Sequence, residues 1–252
     1  RLRDTMVPVS GRRGSSKGSE EMEKSPDRQN GGSTAQRTRI GDIRRDELTA
    51  AALRCIATKG YDRVTLDDVA KEAGSSQGNV LYYFKNREAL MMSTVERIGE
   101  DMMGLTRAIW GVPADVQGEK KIQEWIVERC SDPNIDLTGV VRSGVKLLIN
   151  WFDERNHLIA VGLELFCQVR RNPVIEGVRD RVHPYIRNAS AAFIDQGIRR
   201  GVFRERDPEV AAHVLLTLFT GFAFAHVTTV RGEFDPDLLE QELCEIILGY
   251  LE

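Results

Sequence analysis

Cysteine is scarce in this chain, which has four cysteines among 252 residues. They are Cys55, Cys130, Cys167 and Cys244, and no two of them form a Cys-x-x-Cys pair. This spacing argues against a zinc site and against the disulfide framework of a small secreted domain. We therefore expect reduced thiols and a cytoplasmic protein.

The sequence also lacks a long hydrophobic run. The longest nearly apolar segment, residues 214–225, is interrupted by two threonines and a glycine, whereas a membrane-spanning helix needs about 20 apolar residues. No apolar stretch follows the basic pair Arg12-Arg13, as it would in a signal peptide. We expect neither a membrane protein nor a secreted one.

Aromatic residues are missing from the first 60 positions, and the first of them is Tyr61. Residues 1–40 hold five Gly and six Ser but few apolar side chains. Such a segment cannot bury enough surface to offset its ordering entropy, so we predict that it is disordered. Its nine Lys/Arg and five Asp/Glu give a net charge of about +4. It is either a tail without contacts or a basic arm that touches nucleic-acid phosphates.

No grouping of catalytic or metal-binding residues stands out. The four histidines, His157, His183, His213 and His226, are dispersed along the chain. There is no nucleophile–base motif and no phosphate-binding loop. We expect no enzymatic activity, no metal and no cofactor. The overall charge of −3 does not by itself indicate a nucleic-acid partner.

What the sequence does contain is helical periodicity, from about residue 43 to its end, without an alternating strand pattern or an internal repeat. A long fourth helix is predicted over 86–109, with an apolar stripe from Met91 to Ile109. Further helices are predicted near 117–130, 138–155, 157–171, 173–200, 208–231 and 236–251. The pattern predicts an all-α protein.

Two short helices precede the fourth. One is predicted over 66–73, with Thr65 as its N-cap and Asp68 placed for a near capping box. After a break at Gly74-Ser75, the other is predicted over 77–83. Two short helices joined by a turn that contains glycine are typical of the helix-turn-helix motif.

The residues of this region resemble a known family. Residues 64–70 read VTLDDVA and residues 73–90 read AGSSQGNVLYYFKNREAL. Together they resemble the DNA-binding domain of the tetracycline-repressor (TetR) family of bacterial transcriptional regulators, over about residues 45–90. The remainder resembles the family only in layout, and Leu81 stands where the family usually has Tyr. The resemblance implies an N-terminal three-helix helix-turn-helix domain, joined by the long fourth helix to a helical ligand-binding and dimerisation domain.

We accordingly expect a disordered basic tail over 1–40, a DNA-binding domain over 41–90, and a ligand-binding and dimerisation domain over 91–252. The 41–90 segment has eight Lys/Arg and eight Asp/Glu, whereas a generic DNA-binding domain is basic. Residues 91–252 carry a net charge of −7 and should not bind DNA.

The third helix is expected to enter the major groove. The amides of Gln77 and Asn79 can bond adenine, and Gly78 permits close approach. Tyr82 and Tyr83 are placed either to contact DNA or to pack in the core. Lys85 and Arg87 contact phosphate or form a solvated surface pair. The predicted DNA-binding residues are Thr65, Ser76, Gln77, Gly78, Asn79, Tyr82, Tyr83, Lys85 and Arg87, of which Thr65 and Ser76 also cap helices.

The resemblance further implies a small-molecule effector and a homodimer. The predicted pocket residues, each of which could instead be plain core, are Met92, Met103, Trp110, Trp125, Trp151, Phe152 and Phe166. Glu164 faces either a cationic ligand or solvent. The last two helices are expected to form a dimer interface, or else part of the core, through Val214, Leu218, Phe222, Leu239, Leu243 and Ile247.

The leading hypothesis is a ligand-responsive repressor whose partners are a double-stranded DNA operator, a second copy of the chain and an unidentified small molecule. Ligand binding would tilt the fourth helix and change the distance between the two recognition helices. The alternatives are a helical small-molecule-binding protein, as carrier or enzyme, and a regulator controlled by a protein partner.

Overall fold

The computed structural model describes residues 31–229 and 235–252, and residues 31–38 by their backbone alone. Every regular element within these ranges is a helix, which confirms the all-α prediction. The helices are α1 (Gly31–Lys59), α2 (Leu66–Glu72), α3 (Gln77–Tyr83), α4 (Arg87–Trp110), α5 (Glu119–Ser131), α6 (Leu137–Glu154), α7 (Asn156–Gln168), α8 (Pro173–Arg199), α9 (Pro208–Thr228) and α10 (Pro236–Leu251).

The start of α1 differs from the prediction. Residues 31–40 are helical, although they belong to the segment expected to be disordered, and residues 1–30 lie outside the described part of the chain. Ala35, Gln36 and Arg37 favour helix. Extending a helix that is already formed also avoids the cost of nucleating a new one. Composition alone therefore misplaced this boundary.

The ends of the helices follow local capping chemistry. Asp207 accepts hydrogen bonds from two backbone N–H groups of the first helical turn and Asp235 accepts one, and each precedes a proline at the first helical position. Asn86 caps α4, because its Oδ1 accepts from the N–H of Ala89 at 2.8 Å. Gly111, with φ of 63°, ends the same helix in the left-handed conformation.

Residues 40–252 form one compact unit with two large apolar cores. The first core joins α1, α2 and α3 to α4, α7 and α8, so that Phe84 and Val69 share it with Leu165 and Val178. The second core, around Phe193, lies among α5, α6, α8, α9 and α10. Since the first core crosses the boundary expected at residue 90, the helix-turn-helix region packs continuously with the helices that follow it.

Two glycines set the position of α4. A Cβ on Gly99 would lie 2.9 Å from Cγ1 of Val178 in α8. A Cβ on Gly144 of α6 would lie 2.9 Å from Cγ2 of Ile109 in α4. Side chains larger than hydrogen do not fit at these crossings, because packed interiors leave no spare volume. α4 is therefore held closely against α8 at one point and against α6 at another.

Candidate nucleic-acid interface and ligand cavity

The turn between α2 and α3 is fixed by caps at both helix starts. Thr65 and Asp68 form a reciprocal capping box, and Lys59 donates to Asp68 at 2.5 Å. Lys59, with help from Thr65, holds the pKa of the Asp68 carboxyl well below its usual range. The hydroxyl of Ser76 accepts from the N–H of Asn79 at 3.1 Å. The geometry of the two-helix motif is thus set before any DNA is bound.

The outer face of α3 is open to solvent. Gln77, Gly78 and Lys85 are exposed, and Tyr82 is 81% exposed. A Cβ on Gly78 would meet only the Ser76 hydroxyl, at 3.9 Å, so the backbone here is accessible. A short helix with polar and aromatic side chains on its free face has the size and shape to enter a major groove.

The opposite face of α3 is core. Val80 and Phe84 are fully buried, as their i, i+4 spacing predicted. Tyr83 is half-buried and packs edge-on against Tyr82, with ring centroids 5.0 Å apart. Arg45 of α1 lies over the Phe84 ring, 4.6 Å from its centroid, and donates to the Tyr83 carbonyl. Arg45 therefore supports the end of α3 from behind.

Asn79 has an internal partner. Its Nδ2 donates to Oγ of Ser75 at 2.8 Å, and the residue is half-buried. Gln77 has the freer amide of the two predicted base readers. To read DNA, the Asn79 amide would have to break its hydrogen bond to Ser75 and form one to a base edge instead.

Arg87 is also engaged within the protein. Its Nε donates to the carbonyl of Val64 at 2.7 Å, a terminal nitrogen donates to the carbonyl of Tyr61, and the guanidinium lies over the Tyr61 ring. Arg87 thus ties α4 to the segment before α2, which differs from the phosphate contact expected from the sequence. Lys85, which is exposed, is the freer cation beside α3.

A cavity lies inside the second half of the chain. It lies among α4, α6, α7, α8, α9 and α10 and has a volume of about 180 Å³. An apolar cavity of about 150 Å³ can hold benzene, so this one has room for a small organic molecule. Apolar side chains form almost the entire wall, including Ile98, Leu105, Leu148 and Phe219.

Four of the seven predicted pocket residues line this cavity: Trp110, Trp151, Phe152 and Phe166. The other three do not, which corrects the prediction. Met92 is exposed, Met103 packs against the two cores, and Trp125 lies under the guanidinium of Arg129.

The cavity side of α4 is set by Ile98, Met102, Leu105 and Ile109, at steps of four, three and four. Met92 precedes this stretch of the helix and is exposed, whereas Met103 is taken up by packing against the two cores. His183, Ser190 and Phe193 of α8 line the cavity and were not predicted, because core and cavity positions of an apolar helix carry the same sequence signal.

Glu164 faces neither the cavity nor open solvent. It is half-buried, and its Oε1 accepts a hydrogen bond from the backbone N–H of Tyr61 at 2.9 Å. Glu164 therefore matches neither of the two alternatives expected from the sequence, a cationic ligand or open solvent. It joins α7 to the segment that follows α1.

The predicted dimer residues fall into two groups. Leu243 and Ile247 are only 7% and 2% exposed and belong to the second core, which corrects their assignment to an interface. Leu218, Phe222 and Leu239 are half-buried, and Val214 is exposed. An apolar stripe on a helix does not indicate which side of it meets the core, and this accounts for the misassignment.

The surface of α9 and α10 still exposes apolar side chains. We define the α9–α10 face by its exposed large hydrophobic residues, Val210, Val214, Phe224, Leu238 and Ile246. By length and composition, α9 could cross a membrane. However, its Ala211, Ala212 and Leu215 are buried in the second core, so one side of the helix belongs to the folded unit.

Comparison with known proteins relates this arrangement to one family. Residues 48–93 match the family model of the bacterial regulatory proteins of the tetR family. The HTH-type transcriptional regulator EthR of Mycolicibacterium smegmatis is 35% identical over 78 residues, which are 31% of this chain and 36% of EthR. The HTH-type transcriptional repressor AcnR of Corynebacterium diphtheriae is 22% identical over 161 residues, 61% of this chain and 80% of AcnR.

Solved structures extend the similarity to the whole fold. A transcriptional regulator from Saccharomonospora viridis, solved in complex with choline, superposes with a TM-score of 0.63 at 22% identity, over 83% of this chain and 98% of that one. The fatty acid degradation regulator FadR from Bacillus halodurans gives a TM-score of 0.59 at 19% identity, over 81% and 94%. The helices beyond the DNA-binding region thus share the fold of these two regulators.

Proposed function

Because this chain is a transcriptional regulator of the TetR family, by its DNA-binding region and by its fold, we propose that it is a homodimeric, cytoplasmic repressor released from its operator by a small molecule. The observation that carries the proposal is the coexistence of two features in one compact unit. One is an exposed recognition helix, α3, and the other is an apolar cavity within the helices that follow it. The alignment to AcnR, a repressor by name, supports the sign of the regulation.

The DNA-binding part of the proposal rests on the outer face of α3. Gln77 offers a free amide for adenine, Tyr82 offers a ring and a hydroxyl, and Lys85 offers a charge for phosphate. The segment over 41–90 is neutral overall. Binding should therefore depend on a few placed contacts rather than on a broad basic surface, and its salt dependence should be modest.

The dimer part rests on the α9–α10 face. Exposed Val214 and Phe224 on one helix, with Ile246 on the other, give an apolar surface that water solvates poorly. A second copy related by a two-fold axis would cover it with the same surface. Two recognition helices related by that axis would then read two half-sites of a palindromic operator.

The effector part rests on the cavity. A ligand that prefers one arrangement of the cavity helices shifts the population of the DNA-binding state by its difference in affinity for the two arrangements. One structural relative was solved with choline and another is named for fatty acid degradation. A role for the cavity as an effector site agrees with the use of this fold to hold small molecules.

The test is direct selection of DNA by the purified protein from a library of genomic fragments. We expect enrichment of a palindrome, and then loss of affinity for it in Gln77→Ala and in Tyr82→Ala. Gln117→Ala, which removes an exposed amide from the segment after α4, is the matched control and should bind like the parent chain. No enriched sequence, or equal affinity in all variants, would refute the proposal.

A further inference from the structure

We propose that the cavity takes an elongated, uncharged ligand, mostly apolar, with one hydrogen-bonding end held near His183. This inference rests on the proposed function, since it assumes that the cavity is the effector site. It differs from what either named relative would suggest, because choline is a cation and a fatty acid is an anion at neutral pH.

The wall of the cavity has no charge to match an ion. Among the described residues that line it there is no Asp, Glu, Lys or Arg. A charge moved from water into such a site without a partner loses far more solvation energy than apolar contacts return. An ionic ligand would bind here only with its charged group left outside.

His183 is the one titratable side chain in the wall, and it is neutral near pH 7. Burial lowers the pKa of its imidazole below the ordinary value, and the neighbouring cations Arg179 and Arg187 act in the same direction. A neutral imidazole both donates and accepts a hydrogen bond, so it suits an alcohol, amide, ketone or ester. Its ring packs edge-on against Phe166, with centroids 5.5 Å apart.

Few other polar groups are left for a ligand. The hydroxyls of Thr106 and Thr220 donate to helix carbonyls within their own helices. This leaves the imidazole of His183 and the hydroxyl of Ser190, seven residues further along α8 and on the same face of the helix, beside the indole N–H groups of Trp110 and Trp151, which can only donate. A ligand group that both donates and accepts is therefore served best on the α8 side of the cavity.

The cavity is long rather than round. Its wall on α4 runs from Ile98 to Trp110, roughly 18 Å at about 1.5 Å per residue. A second, smaller cavity of about 40 Å³ continues it between α4, α7 and α8, and His183 and Gly162 line both. Arg179 also lines the smaller cavity, but its guanidinium is paired with the carboxylates of Glu176 and Asp180. The hydrogen-bonding end is thus near the junction of the two cavities, and an apolar chain would extend from it toward Trp110.

The aromatic rings of the wall do not form a cage for a quaternary ammonium group. Trp110 packs on Phe193 with centroids 4.6 Å apart, and Phe152 stacks on Phe222 at 5.5 Å. A cation–π cage requires several free ring faces directed at one point. In these two pairs the ring faces pack against each other and are not directed at a common point.

The experiment uses three probes that share an eight-carbon chain: 1-octanol, octanoate and octyltrimethylammonium. Each is titrated into the full chain at pH 7.5, with binding followed by calorimetry and by the fluorescence of Trp110 and Trp151. We expect the dissociation constant of 1-octanol to be at least tenfold lower than that of either ion. Equal or tighter binding of an ion, or no binding of any probe, would overturn the inference.

A pair of variants locates the binding. In Gly162→Leu the new side chain would fill the junction of the two cavities, since a Cβ there is only in ordinary contact, 3.9 Å from Ile98. Gly104→Leu places the same side chain on an exposed part of α4, with open space around it. We expect the first to lose 1-octanol binding at least tenfold and the second to retain it. Gly162→Ala serves if the larger variant does not fold.

Different results would refute the proposed function and the proposed ligand class. If 1-octanol binds in preference to both ions but does not release DNA, the ligand class is supported and the effector role is refuted. If DNA is released by octanoate or octyltrimethylammonium at lower concentration than by 1-octanol, the effector role is supported and the uncharged class is refuted.

Discussion

The backbone N–H of Tyr61 donates to Oε1 of Glu164 at 2.9 Å, across 103 residues of sequence. The Tyr61 carbonyl accepts from Arg87 at the start of α4. One residue just ahead of α2 is therefore connected to both α4 and α7. Two of the helices that line the cavity thus meet at Tyr61.

This relationship adds a route from cavity to DNA that the sequence did not reveal. Gly162, Leu163 and Phe166 line the cavity, and Glu164 lies among them on α7. A ligand that displaces α7 would therefore act on the turn that positions α2 and α3. The rod-like movement of α4 expected from the sequence would act together with this link, since Arg87 reaches the same residue.

The first prediction concerns this link. Glu164→Ala should reduce the effect of 1-octanol on operator affinity several-fold while leaving 1-octanol binding itself within about twofold, because it removes the contact but not the cavity wall. Loss of the acceptor from a half-buried donor should also lower the free energy of unfolding by about 1 kcal/mol. DNA-binding anisotropy with and without 1-octanol, together with urea unfolding, measures both.

Two further variants serve as controls for this prediction. Glu164→Gln keeps an acceptor oxygen and should restore most of the coupling. Glu128→Ala removes an exposed carboxylate from α5 and should change nothing. If Glu164→Ala responds to 1-octanol as the parent chain does, then the Tyr61 contact does not carry the signal.

The second prediction separates base reading from phosphate contact. Gln77→Ala should cost roughly 1–3 kcal/mol of operator binding and relax the preference at one base position, because its amide is free to read a base edge. Lys85→Ala should weaken all sequences alike and reduce the salt slope by about 1. Affinity for a panel of single-base operator variants at several salt concentrations distinguishes the two outcomes. Identical profiles for both variants would contradict the assignment.

The third prediction concerns Arg87 as a packing residue. Arg87→Ala should lower the free energy of unfolding by about 1.5–3 kcal/mol, since a charged donor to two backbone carbonyls is lost. Arg87→Lys should not restore it, because an ammonium group cannot reproduce the guanidinium fork. Urea denaturation gives the comparison. Unchanged stability together with a reduced salt slope for DNA would instead support the phosphate contact expected from the sequence.

Particular residues show which features of the structure could be predicted from the sequence. The caps Thr65 and Ser76 and the buried faces of Val80 and Phe84 were predictable, because capping and i, i+4 spacing are local. Lys59–Asp68 and Tyr61–Glu164 were not, since their geometry depends on how distant helices pack. The helix-turn-helix motif could therefore be predicted from local sequence patterns, whereas the cavity could be identified only from the tertiary structure.

The same reasoning explains the errors on the last helices. Leu243 and Val214 both lie on apolar stripes, yet the first is buried and the second exposed. Periodicity reports that a face is apolar and not what covers it. Only the packing of α10 against α6, and of α9 against α7 and α8, determines which residues remain for a partner.

The fourth prediction tests the α9–α10 face as a dimer interface. The double variant Val214→Glu, Phe224→Glu should be monomeric at micromolar concentration, because two buried carboxylates per copy would oppose association. It should also lose operator affinity at least tenfold, since a monomer reaches one half-site. Leu147→Glu alters an exposed leucine of α6 and is the matched control. Sedimentation velocity that shows dimers in the double variant would exclude this face.

The fifth prediction follows from the environment of His183. Burial, then Arg179, His213 and Arg187, lower the pKa of its imidazole, and Asp180 opposes them. The folded protein therefore keeps this side chain neutral below the ordinary histidine pKa of about 6.5, while the unfolded chain already binds a proton there. Its contribution to stability is present above that pH. It is lost as the pH falls from 6.5 to the lower folded value.

The affinity for an uncharged ligand should follow the folded pKa. At pH 8.5 and at pH 7.5 the dissociation constant of 1-octanol should be the same, because His183 is neutral at both. It should rise as the pH falls through the folded pKa, where protonation places a charge in the apolar wall. His183→Asn should abolish this rise, whereas His157→Asn, at an exposed position of α7, should preserve it. An affinity for 1-octanol that increases on acidification would contradict this account, because it would mean that an imidazolium in the wall favours the ligand rather than opposing it.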